Sequence, residues 1–96
     1  MMNKIYKYTL FTRPDHELSV SIDIPDNAKI LSCQFQHGTV SIWALIDENE
    51  PTVTRVFTCY GTGFELPDRN VRKHIATLQE VFGVGLGYVW HIFEEE

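Results

Sequence analysis

Four histidines, His16, His37, His74 and His91, and the nearby carboxylates Asp15, Glu17 and Asp23 are the groups best suited to proton transfer in this 96-residue chain. None stands in a pattern that acid–base or nucleophilic catalysis requires. There is no G-x-S-x-G elbow, no H-E-x-x-H and no Cys–His signature. Asp15-His16-Glu17 has metal-ligand residue types, but three neighbours in a turn do not converge on one ion without further ligands, so a solvated polar turn is expected there. Cys33 and Cys59 lie inside apolar runs, outside any C-x-x-C or Cys/His spacing, and read as buried free thiols. The expectation is a protein without catalytic residues, metal or cofactor.

Binding chemistry has better candidates. In Tyr60-Gly61-Thr62-Gly63-Phe64, glycines at a strand end can leave backbone N–H groups free as an anion-binding nest. Arg55 before this loop, and Arg69, Arg72 and Lys73 after it, can add phosphate-pairing charge. The spacing of a P-loop is missing, and the same residues read first as a tight turn needing positive φ twice. A second candidate is Trp43, which shares the polar face of its run with Thr39, Ser41 and Asp47, while Gln34 and Gln36 hold the corresponding face of the run before it. An aromatic among glutamines suits a stacking platform or an interface anchor, and equally a second buried face of a closed barrel or dimer. His91 alternates with Val89 and Phe93 and reads as a core or interface histidine.

The elements that must position these groups are short and regular. Lys4–Phe11 puts Tyr6 and Tyr8 on one face, and Arg13-Pro14-Asp15 breaks it. Leu18–Ile24 has period two, with Leu18, Val20, Ile22 and Ile24 inward. After Pro25-Asp26-Asn27, Lys29–Gln36 places Leu31, Cys33 and Phe35 on one face and Ile30, Ser32, Gln34 and Gln36 on the other. His37-Gly38 then separates that run from the alternating run Thr39–Asp47, which predicts a hairpin with Gly38 at positive φ. Thr52–Tyr60 is β-branched and aromatic, as is Tyr88–Phe93, and Glu94-Glu95-Glu96 is expected as a solvated tail. The segment 68–82 fits two readings. Val71, Ile75, Leu78 and Phe82 recur at helical spacing behind an Asp68 cap, whereas His74–Glu80 fits a strand followed by a bend at Gly83, Gly85 and Gly87. The predicted fold is all-β, a small antiparallel sandwich or barrel of six to seven strands in one domain, with room for one short helix in 68–82.

Charge narrows the partners. Eight Lys and Arg against thirteen Asp and Glu give a net charge of −5, which argues against duplex nucleic acid. No run approaches the ~20 apolar residues of a membrane span, and the start lacks the apolar stretch of a secretory signal. The charges are segregated: residues 1–13 carry Lys4, Lys7 and Arg13 without an acid, and residues 14–50 hold seven acids against Lys29 alone. Such a distribution suits steering onto a partner of mixed sign or self-association. Two Trp, four Tyr and six Phe are more aromatic surface than one small core readily buries, which predicts a homo-oligomer.

The opening IYKYTL, the block IPDNAKILSCQFQHGTVSIWALIDENEPTVTRVF, the loop YGTG followed by LPD, and the closing VWHIFE resemble a family of small tailed-bacteriophage proteins known as a domain of unknown function. The likeness covers nearly the whole chain and is most specific from Pro25 to Gly63. It departs from the family pattern at Phe64, where His is usual, and at a longer, more basic Arg69–His74. The resemblance implies a strand at His74–Gln79, a phage or prophage origin, a location in the host bacterial cytoplasm and no enzyme activity. With the charge pattern, it leads to the expectation of a non-catalytic accessory protein that binds and inhibits a host bacterial protein, such as an antiviral defence component. The alternative is an oligomeric sponge for a small nucleotide signal, built from the Gly61–Gly63 nest, Arg55 and Trp43 or Tyr60. A structural or assembly component of the virion is the lesser alternative.

Overall fold

The computed structural model describes residues 1–12, 19–67, 72–79 and 88–96. It contains seven strands and, among the described residues, no helix: β1 (Lys4–Phe11), β2 (Ser19–Pro25), β3 (Lys29–Gln36), β4 (Thr39–Ile46), β5 (Thr52–Gly61), β6 (Arg72–Gln79) and β7 (Val89–Glu95). They form two antiparallel sheets, one in the order β1-β4-β3 and the other in the order β2-β5-β7-β6. The expected turn at Asp15-His16-Glu17, Leu18, Asp68, Arg69, Val71 and the stretch 80–87 lie outside the described residues. Between 72 and 79 the strand reading of the 68–82 segment holds, and the helical spacing of Ile75 and Leu78 is not used.

Alternation decides what each strand buries. Val40 and Ile42 of β4 gather with Phe57 and Cys59 of β5 and Trp90 and Ile92 of β7, whereas Ala44 and Ile46 pack with Ile24 of β2, all nearly or fully buried. Each such side chain contributes about 1.5–3 kcal/mol by leaving water. One cluster of the core gathers Phe11, Ile42, Phe57 and Ile92; a second, around Ile24, Ala28, Ala44 and Ile46, joins it through Tyr8 and Ile22. The β3–β4 hairpin turns as expected, with His37 at φ 54° and Gly38 at φ 79°. Two successive left-handed residues match the twist of a two-residue turn.

Plain alternation fails at three bulges. In β1, pairing jumps from Thr9 to Phe11, so both Leu10 and Phe11 enter the core. In β3 it jumps from Ile30 to Ser32, which turns Ile30 inward beside Cys33 and Phe35 and leaves Leu31 exposed, the reverse of the alternation expected for those two residues. In β6 it jumps from His74 to Ala76. One extra residue on a strand shifts every side chain before it to the other face.

Cys33 and Cys59 face the core from opposite sheets as free thiols. Burial raises the Cys33 thiol from 9.0 to about 11; burial, then the neighbouring Cys33, raises Cys59 to about 12. A raised folded-state value means that the neutral thiols favour the fold fully below about pH 9. That contribution is lost as the pH rises through 11 and 12. A thiol titration of the native protein near pH 8 is therefore expected to detect neither cysteine on the minute scale, and both once denaturant is added. Rapid native reaction of either thiol would contradict this burial.

Candidate functional site

The outer face of the four-stranded sheet carries the loop singled out by sequence. Beyond Gly61, the chain reverses through Gly61–Phe64, closed by a hydrogen bond from the Phe64 amide to the Gly61 carbonyl (3.1 Å), with Gly63 at φ 89°. A positive φ at that third turn position calls for glycine. Only Gly63, not Gly61, has it, so the turn needs one left-handed residue rather than two. The Thr62 amide donates to the Val89 carbonyl (3.2 Å). Of the amides from Thr62 to Phe64, two are therefore engaged within the fold, and the geometry does not present a convergent anion nest.

This loop borders an open pocket of about 270 Å³, lined by Tyr60, Thr62, Phe64, Leu66, His91 and Phe93. Tyr60 and Phe93 meet edge to face with centroids 6.1 Å apart, and the Arg72 guanidinium lies 5.9 Å from the Tyr60 ring centre. His91 is held at both nitrogens, Nε2 by the Thr62 hydroxyl (2.8 Å) and Nδ1 by that of Thr77 (3.0 Å), and Thr77 also meets His74 Nε2 (2.9 Å). The imidazole thus pins the loop to the sheet. His91 is half-buried on this outer face rather than in the core.

Arg55 does not reach this pocket. It lies on the inner side of β5, where Nε and Nη2 donate to the two oxygens of Glu94 (2.6 and 2.7 Å) and Nη1 donates to the Ala28 carbonyl (2.8 Å). All three of its nitrogens are engaged inside the protein, and its bidentate edge is taken by Glu94 rather than open to a phosphate. Its partner Glu94, and Glu95 with only 7% of its side chain exposed and Arg72 Nε at 3.3 Å, end β7 rather than forming a solvated tail. Arg72 also donates to the Pro67 carbonyl (2.8 Å) and is a structural clamp on the 62–67 segment.

Gln34, Gln36 and Trp43 occupy the outer face of the other sheet, as the alternation places them. Trp43 pairs with Lys7 on one side and Ser32 on the other, and Gln34 pairs with Ser41. Sequence reasoning missed Lys7, whose ammonium lies 5.5 Å from the centre of the Trp43 ring and also donates to Gln36 Oε1. The alternation of β1 supplies its face, but only the β1-β4-β3 order brings it to Trp43. Ile5, paired with Leu45, extends this face as a 59% exposed aliphatic side chain. Of the residues first grouped together, Tyr60, Gly61, Thr62, Gly63 and Arg72 meet, Gln34, Gln36 and Trp43 meet elsewhere, Arg55 is interior, and Arg69 lies outside the described residues.

A family model with the description domain of unknown function (DUF7352) matches residues 1–96. No curated protein and no solved structure matches the chain. No helix of the described residues is long and apolar enough to cross a membrane.

Proposed function

This chain belongs to the family described as a domain of unknown function (DUF7352), and we propose that it is a non-catalytic accessory protein of a tailed bacteriophage that binds and inhibits a host bacterial protein. The target is a component of antiviral defence, met in the host cytoplasm, and the active species is a homo-oligomer. The observation that carries this reading is the outer face of the three-stranded sheet. Ile5 and Leu45 stand as a cross-strand aliphatic pair beside Trp43, which Lys7 holds in place, with Gln34 and Gln36 as flanking hydrogen-bonding groups. An aromatic anchor beside aliphatics, ringed by amides and one cation, has the composition of a protein-contact centre. The phage origin rests on the resemblance of the Pro25–Gly63 block and the flanking strands.

The nucleotide-sponge reading is weaker because Arg55 and Trp43 lie away from the loop pocket, where Tyr60 is the one aromatic of that set, and two of the loop amides are engaged within the fold. The test is capture from host lysate followed by identification and reconstitution with the purified target. Trp43→Ala and Ile5→Asp are expected each to weaken the reconstituted complex by tenfold or more, about 1.4 kcal/mol or above, while leaving the urea midpoint within experimental error. Thr54→Ala, on the outer face of the other sheet, is expected to change neither. Undiminished binding by both face variants would remove this surface from the function.

A further inference from the structure

The two sheets part along one side, where the edge strands β3 and β6 run past each other, and an open groove of about 410 Å³ lies between them. Its cations are Lys29, Lys73 and, deeper in, Arg55; His74 also lines it, and among the described residues no acid does. Glu94, opposite Lys73 on β7, is held by both arms of its contact with Arg55. Arg55 and Glu94 cancel, and among the described residues no ion-pair partner engages Lys29 or Lys73. The groove is therefore a local excess of positive charge on a chain of net charge −5.

Its walls are apolar. Ile30 and Cys33 come from β3, and the two bulged residues, Leu31 on β3 and Ile75 on β6, face the opening from opposite sheets. These bulges also interrupt both free strand edges at the groove, which makes them poor templates for an added strand. An extended peptide is thus the wrong shape for this site. A small molecule is the right size, since ligand pockets run from about 300 to 1,000 Å³.

We propose that the β3–β6 groove binds a small anion with an apolar body, its charged head between Lys29 and Lys73 and its body against Leu31 and Ile75. This site borders the Trp43 face, since Lys29 and Ser32 pair with Leu45 and Trp43, but its ligand contacts are other residues. The probe is anilinonaphthalene sulfonate, which has one anionic head on an apolar body, added to the folded full-length chain. Saturable binding is expected, with amide shifts on Lys29–Cys33 and Lys73–Ala76.

Lys29→Glu and Lys73→Glu are each expected to weaken binding about fivefold or more, and together to abolish saturation. Lys7→Glu on β1, with β4 between it and the groove strand β3, should leave it unchanged. Because Lys73→Glu faces Glu94, Lys73→Gln serves if the charge reversal disturbs the fold. Decanoate and adenosine monophosphate, added separately, tell an acyl body from an aromatic one by which displaces the dye. Non-saturable binding, shifts confined to the Tyr60–Phe93 pocket, affinity indifferent to both lysines, or displacement by neither competitor would each overturn the proposal.

Discussion

Arg55→Ala is expected to lower the stability of the folded chain by about 2–4 kcal/mol, a fall in melting temperature of roughly 10–25 °C for a domain of this size. The effect does not come from the loss of an attraction in water. Only 22% of the Arg55 side chain and 14% of the Glu94 side chain are exposed, so truncation strands a carboxylate in a largely dry site. It also removes the donor that satisfies the Ala28 carbonyl. Removing one member of such a pair is costly, whereas replacing both by apolar groups is often neutral. The pair Arg55→Met with Glu94→Leu should therefore recover most of the loss, and urea denaturation of the two single variants and the double variant measures it. A change below about 0.5 kcal/mol for Arg55→Ala would mean that the pair behaves as a solvated surface bridge.

Phe57→Ala is expected to cost about 3–5 kcal/mol, the other large effect. Phe57 is fully buried on β5, the strand that joins β2 to β7, and belongs to the cluster that holds the sheets together. Against a total stability of about 5–15 kcal/mol, that loss brings a chain of this length close to unfolding. The measurement is the urea midpoint, with near-ultraviolet circular dichroism as the report on packing around Trp90. A cost near 1 kcal/mol would show that the two sheets close over the gap, and Phe57→Leu then separates volume from ring shape.

Much of the strand pattern was legible because each run shows its buried face by alternation. β4 is the cleanest case, and the two-residue turn at His37-Gly38 announces itself by residue type. Bulges are not visible in this way. Nothing in the types of Ile30 and Leu31 says which is the extra residue, and one insertion exchanges their faces. Arg55 and Glu94 illustrate a second blind spot: the terminal glutamates look like a solvated tail until β7 is laid beside β5. The candidate site was legible as residue types and not as a constellation. Tyr60, His91 and Thr77 belong to strands whose adjacency is a property of strand order, as is the meeting of Lys7 with Trp43. Alternation alone contains none of that order.

The interleaved strand order has a consequence for how the chain is made. β1, β3 and β4 complete the three-stranded sheet by Ile46, so that layer can form during synthesis once Ile46 has cleared the ribosome exit, started by the local β3–β4 hairpin. β2 emerges before that hairpin but has no neighbour until β5 follows it, and β6 and β7 arrive last. During that interval Val20, Ile22 and Ile24, and the inner side of the first sheet, are without their cover. The nascent chain is then most in need of a chaperone between the completion of β4 and the arrival of β7.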